Sequence, residues 1–329
     1  RLIRAREQIT QQKQQILDQK REFQRQLKKS ADDKSLQLRT NEAKLEQLNF
    51  KLNMAASNKE YDILRGQIQA DTMANSVLED EILDLLDQIV AAGIDPAKLM
   101  PGTGACALSD AVKATKHAVA KGCGGVLVLP PFYYKNMSDD GFFRFFAETI
   151  QRVGDARLRM YLYHIPPQTV QGISHDLIER LVKAYPGTVV GIKDSSGDWK
   201  NTEAMLKRFP GFGIFAGSED FLLANMRAGG VGCITATGNV NAGMIRALYD
   251  NWQKPDADQR QAHISTVRKT IQRHPMIPAM KALRAAWSGD KAWLNVRPPF
   301  LPLTMEQGRA LAADVAKLGC KGPAMVPAE

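Results

Sequence analysis

The chain has 329 residues, room for two domains or for one large domain with an appendage, in the proportions of a soluble globular protein. It carries a net charge of +9, yet the first ninety residues balance at 15 basic against 15 acidic side chains, so the excess lies in the remainder. That charge suits small anionic molecules and is too diffuse for nucleic acid, since no basic run is interleaved with aromatics. There is no apolar run long enough for a membrane span, and the opening Arg1-Leu2-Ile3-Arg4 lacks a signal-peptide core. Cys106, Cys123, Cys233 and Cys320 stand singly, which argues against a zinc site or a disulfide framework and for reduced, cytoplasmic thiols.

Residues 1–90 form the first segment. Proline is missing there, glycine occurs once (Gly66), and glutamine, lysine, glutamate and leucine dominate, as in long helices. Tyr61, Leu64 and Ile68, then Leu78, Ile82, Leu85 and Ile89, alternate at spacings of three and four, with Asp71 and Asn75 as polar interruptions of the heptad seam. Leu2, Ile9, Ile16 and Phe23 repeat every seven residues with weaker partners, and Leu45, Leu48 and Leu52 resume the three-four spacing. Ala55-Ala56-Ser57-Asn58 is a turn signal with Ser57 or Asn58 as a helix cap. The expectation is an all-α antiparallel coiled-coil hairpin, with one continuous helix or a parallel dimer as alternatives and a coiled-coil partner as a corollary.

From residue 91 to 329 strands and helices alternate. Lys98–Thr103 reads as a strand, followed by a helix from Ser109 to about Ala120. A strand over Gly125–Leu129 precedes a helix over Ser138–Val153. A strand over Leu158–Tyr163 precedes a helix over His175–Ala184. The apolar β-branched run from Thr188 leads to Lys193 and then to a helix over Trp199–Arg208. Strands at Gly213–Ala216 and Gly232–Ala236 follow, with helices over Asp220–Ala228 and Ala242–Trp252. Residues 257–320 read as further helices broken by Pro275, Pro278 and Arg297-Pro298-Pro299. This alternation predicts a parallel sheet, whose closed form is the (β/α)8 barrel, although only six strands can be read.

Lys193 closes a buried strand, an unusual place for an ammonium group. A desolvated amine at a strand's carboxyl end can attack a ketone to form a Schiff base; the plain alternative is a side chain leaning out to solvent. Tyr163 closes the preceding strand, and its phenol can shuttle protons during such a reaction. The five histidines have no metal spacing and read as surface or packing residues, with His164 at the pocket edge.

Five motifs in order carry a resemblance: Pro130-Pro131-Phe132-Tyr133-Tyr134-Lys135, Tyr163-His164-Ile165-Pro166, Gly191-Ile192-Lys193-Asp194-Ser195-Ser196-Gly197-Asp198, Ala216-Gly217-Ser218-Glu219-Asp220 and Gly230-Val231-Gly232-Cys233-Ile234-Thr235-Ala236-Thr237-Gly238-Asn239-Val240. Together they resemble the dihydrodipicolinate synthase / N-acetylneuraminate lyase family over about 91–320. The resemblance implies a class I aldolase or lyase on a (β/α)8 barrel with C-terminal helices, acting on pyruvate or another 2-oxo acid and commonly a homo-oligomer. It implies no cofactor and no metal beyond the covalent imine, with Lys193 as the Schiff-base lysine and Tyr163 as the proton relay. Tyr133 matches a tyrosine lent across a tight dimer interface, and Gly217 and Ile234 match backbone positions lining the pyruvate pocket.

Two departures accompany this resemblance. The family's first two strands, with their Gly-Thr-Thr-Gly-Glu motif, have no counterpart, and heptad helix stands in their place; Thr103 is no substitute by position. Gln168 occupies the place of the arginine that binds a substrate carboxylate in the synthases, which points to a sugar-acid or hydroxy-oxo-acid aldolase. Residues 1–90 resemble the coiled-coil hairpin of bacterial zinc-ribbon proteins without the cysteine ribbon. With Arg1 in place of an initiator methionine, the expectation is a chimeric or fragment chain: a coiled-coil hairpin over 1–90 and an incomplete barrel over 91–329. Its activity is open to loss through truncation, and the alternative is a non-catalytic coiled-coil interaction protein carrying a remnant barrel.

Overall fold

The computed structural model describes residues 84–322. The coiled-coil hairpin expected over 1–90 therefore lies outside the described residues except for its last stretch, where 84–91 is helical. The described residues divide into two compact units, one of 84–99 with His117–Gly124 and one of Met100–Lys116 with 125–322. In the first, Asp87 pairs with both His117 and Lys121, each at 2.8 Å.

The second unit is built on a parallel sheet whose strands lie in sequence order: β1 (Val126–Val128), β2 (Met160–His164), β3 (Val189–Asp194), β4 (Gly213–Ala216) and β5 (Gly232–Cys233). The strand expected over Lys98–Thr103 is reduced to one parallel bridge, Gly102 to Leu127, and Lys98 ends a short 3-10 turn over Pro96–Lys98. The sixth strand is also shorter than expected. It stops at Cys233, and the residues after it turn toward the next helix.

The helices are α1 (Leu108–Ala120), α2 (Asp139–Val153), the single turn α3 (Pro166–Thr169), α4 (His175–Ala184), α5 (Trp199–Arg208), α6 (Leu222–Arg227), α7 (Gly238–Asp250), α8 (Ala257–Ile271), α9 (Met276–Ser288) and α10 (Met305–Lys317). Their ends follow local chemistry. Ser138 accepts from Gly141 N–H to start α2, and Gly154 ends it at φ 66°, where a side chain would be strained. Ser174 caps α4 in the same way. Thr304 and Gln307 form a capping box at α10. Pro278 does not break a helix as expected. It sits in the first turn of α9, where a backbone N–H would have no intrahelical partner to lose, and it is buried. Among the described residues no helix is long and apolar enough to cross a membrane.

Alternation along the strands separates two faces. Met160, Leu162, Ile192, Ile214 and Ala216 are fully buried on the face covered by helices. Burial of each of the larger ones is worth about 2 kcal/mol. On the other face, register stacks two rows. Leu127, Tyr161, Gly191 and Gly213 are aligned in the lower row, and Tyr163, Lys193 and Phe215 in the upper. The tyrosines, Lys193 and Phe215 are only half-buried. The helices beyond the sheet carry their own cores. Leu222, Leu248 and Ile264 join α6, α7 and α8, while Val267, Ile271, Leu283, Leu311 and Val315 join α8, α9 and α10.

Candidate active site

Parallel strands collect their carboxyl ends at one edge of the sheet, and the residues of the upper row stand there. Tyr163 and Lys193 are direct register partners on neighbouring strands. Lys193 Nζ donates to Tyr163 Oη at 2.9 Å and lies 4.1 Å from the centre of the ring. The amine sits beside the phenol, half-buried, with the lower row beneath it. Tyr161 fills that lower row. A Cβ at Gly191 would come within 2.5 Å of its Cδ1, and one at Gly125 within 2.7 Å of its Cε2, so both glycines make room for one ring. Phe215 meets the Tyr161 ring edge-on at 5.8 Å.

The residue after Lys193 points the other way. Asp194 is buried on the helix-facing side. Its carboxylate accepts from Ser196 N–H (2.9 Å), Asn201 Nδ2 (3.0 Å) and Thr202 Oγ1 (2.7 Å), which binds the first turn of α5 to the end of β3. Asn201 Oδ1 meets His175 Nε2 at 3.0 Å and so extends the network to α4. The lysine is thus held by a strand fastened at its tip.

The structure distributes the other expected site residues unevenly. The Gly217 N–H donates to Asp194 O at 2.7 Å, and a Cβ there would come within 2.6 Å of that oxygen and also collide with Ser195. Only glycine fits so close to the end of the lysine strand. The Ile234 N–H donates to Ala216 O at 2.9 Å, continuing the same edge. Gln168 is exposed on α3. Tyr133 stands 74 % exposed on the loop after β1, its ring edge-on to Tyr134 at 5.4 Å, and the neighbouring Phe132 and Met137 are exposed as well. Lys135 ties that loop down by donating to Phe132 O and, at 3.4 Å, to Thr169 O. His164 is not at the pocket edge. It is buried on the helix side, its Nδ1 accepts from Ile173 N–H at 2.9 Å, and burial holds its imidazole below the ordinary value against the pull of Asp194.

Two groups escape a reading of the sequence. One is the Asp194 latch; its signal, an acid before Ser-Ser-Gly-Asp at a strand end, reads simply as a turn. The other is a buried cluster around Glu219, a residue that the sequence places only at the end of a strand and whose partners Thr235, Thr237 and Arg268 lie far along the chain. Burial pushes the nearby Cys233 thiol up to about 12, with Glu219 adding to the shift. Among the described residues no group of three or more His, Cys, Asp or Glu could hold a metal ion.

The model of the dihydrodipicolinate synthetase family matches residues 74–318, a span that begins before the 91 expected from the motifs. An uncharacterized DapA-like lyase of Chloroflexus aurantiacus is 32% identical over 232 residues, 70% of this chain and 77% of that protein. The crystal structure of dihydrodipicolinate synthase from Agrobacterium tumefaciens superposes with a TM-score of 0.65 at 31% identity, covering 71% of this chain and 79% of that one. YagE, an E. coli K12 prophage protein of the dihydrodipicolinic acid synthase family crystallised in complex with pyruvate, shares the fold with a TM-score of 0.65 at 22% identity, over 74% and 81% of the two chains.

Proposed function

This chain belongs to the dihydrodipicolinate synthetase family, and we propose that it is a Schiff-base aldolase or lyase acting on pyruvate or a closely related 2-oxo acid. The family's enzymes are pyruvate-dependent class I aldolases and lyases that carry the substrate as an imine on a lysine, without a metal cofactor. The observation that carries the reading is the 2.9 Å pair of Lys193 and Tyr163, in register at the carboxyl ends of adjacent parallel strands.

In this reading the Lys193 amine attacks the ketone carbon of the 2-oxo acid. Attack leaves a proton in excess on the nitrogen and an alkoxide on the substrate; the Tyr163 O–H protonates the alkoxide, and the N–H already directed at the phenol oxygen returns a proton to it, which gives the neutral carbinolamine and restores the phenol. Loss of water gives the imine, and loss of a C3 proton gives the enamine that adds to an aldehyde; the reverse sequence cleaves. Gly217 and Ile234 line the pocket with backbone. The exposure of Tyr133 and its neighbours supports a homo-oligomer in which Tyr133 is lent to another copy's site. Gln168 cannot supply the charge of an arginine, which favours an acceptor without a carboxylate at that point, such as a sugar aldehyde. Cys106, Cys123, Cys233 and Cys320 are free thiols, in keeping with the cytoplasm.

A second reading rests on one feature of the sequence: the Gly-Thr-Thr-Gly-Glu motif and its two strands have no counterpart. In that reading the barrel is a remnant that has lost catalysis, and a coiled-coil hairpin over 1–90 provides the function by binding a partner. Borohydride trapping with pyruvate, followed by intact mass and peptide mapping, decides between them. A pyruvate-derived adduct on Lys193, lost in Lys193→Ala and slowed about 10²–10⁴-fold in Tyr163→Phe, establishes the aldolase reading. Soluble, folded protein without an adduct refutes it.

A further inference from the structure

Glu219 has no exposed surface, yet it carries a carboxylate. Arg268, on α8, donates to it at 2.6 Å and is itself only 13% exposed. The Thr235 and Thr237 hydroxyls donate to the same carboxylate, and Arg268 reaches Thr235 Oγ1 at 3.0 Å. Gln261, also on α8, donates to the Glu219 backbone carbonyl at 2.9 Å. Asp220 adds a second acid 3.6 Å from Arg268 Nε.

Local chemistry is overridden to build this cluster. Thr237 occupies the N-cap position of α7, where threonine ordinarily accepts from the helix backbone, but it makes no side-chain cap and spends its hydroxyl on Glu219. A buried ion pair is also a poor way to gain stability, since apolar residues of similar volume often serve as well or better. What the cluster does secure is geometry. Glu219 lies two residues after Gly217, and Thr235 lies one residue after Ile234. Gly217 N–H is bonded to the end of the lysine strand at Asp194 O, and Ile234 N–H to Ala216 O. The Glu219 carboxylate therefore gathers the loops after β4 and β5 onto one point, and Arg268 pins that point to the helical layer.

We propose that Arg268, acting through Glu219 and Thr235, is a positioning residue that fixes the two backbone walls of the Lys193 pocket. The inference rests on the aldolase reading above. Arg268 touches no reacting atom. Its part is to hold the loops bearing Gly217 and Ile234 at the spacing that a 2-oxo acid needs while bound to Lys193.

The test is borohydride trapping on the full chain across a range of pyruvate concentrations, read beside the thermal midpoint. Arg268→Met keeps most of the volume and removes the charge and the fork. It is expected to raise the pyruvate concentration for half-maximal trapping about tenfold, because small misplacements of binding groups are costly. Arg268→Lys should restore most of that loss, and Thr235→Val, which deletes one hydroxyl with little change of shape, should move the value in the same direction. Half-saturation within about twofold of the native value in Arg268→Met and Thr235→Val, with only the midpoint lowered, overturns the inference and leaves the aldolase reading intact. Should Arg268→Met fail to fold, Thr235→Val decides alone. No adduct on the native chain overturns the aldolase reading itself, and the inference with it.

Discussion

Replacing Asp194 with alanine removes the acceptor shared by Ser196 N–H, Asn201 Nδ2 and Thr202 Oγ1 at 2.9, 3.0 and 2.7 Å. A hydrogen bond to a charged group contributes roughly 1.5–3 kcal/mol, and a donor left buried without a partner costs about 1–3 kcal/mol. The losses do not add fully. Asn201 keeps His175, and the cost of burying the carboxylate is lifted together with its bonds. Thr202, itself buried, has no comparable substitute, its other acceptor, Asp198 O, being 3.5 Å away. These effects place the destabilisation of Asp194→Ala at about 3–5 kcal/mol, and that of Thr202→Val, which breaks one of the three bonds, at about 1.5–3 kcal/mol. Urea unfolding of both variants and of the native chain, fitted with a common slope, measures the differences. A loss below about 1 kcal/mol for Asp194→Ala would refute the argument that this carboxylate fastens α5 to the tip of the lysine strand.

Gly191→Ala forces a methyl group onto the Gly213 carbonyl oxygen and to within 2.5 Å of Tyr161 Cδ1; a loss of at least about 2–3 kcal/mol is expected in the same unfolding assay, and a neutral result would show that β3 and β4 can part without cost. His164 gives a pH dependence. Burial holds its folded value below the ordinary 6.5, so between the two values the unfolded chain binds more protons, and this contribution is fully present above about 6.5 and lost as the pH falls toward the folded value. Unfolding midpoints between pH 7.5 and 5.5 should therefore fall more steeply for the native chain than for His164→Asn, and equal slopes would overturn the assignment.

How far the sequence disclosed the fold depends on the range of the interactions involved. Helices α4 and α5 and strand β4 fall where capping serines, aspartates and apolar spacing place them, because those signals act within a few residues. The ends of the sheet depart from the sequence pattern for a physical reason. Lys98–Thr103 and Gly232–Ala236 have strand-like residues, but a ladder needs a partner along its whole length, and only Gly102 and the first part of the second stretch pair. Pro278 misled through its identity, since a proline in the first turn interrupts nothing. The pairing of Tyr163 with Lys193 is foreseeable from the sequence, since both lie at the ends of successive parallel strands, each one residue before the strand's last. The Glu219 cluster is not. It brings Arg268 to a residue 49 positions away, and no local pattern marks that meeting.

The row beneath the lysine has its own consequence. One aromatic ring, Tyr161, spans the gap left by Gly125 and Gly191, directly beneath the row that holds Tyr163 and Lys193. The three positions are therefore coupled in size, and the two glycines are free to grow only after the ring has shrunk. A residue smaller than tyrosine at 161 would leave a void beneath the Tyr163–Lys193 pair without disturbing the register that places the pair side by side.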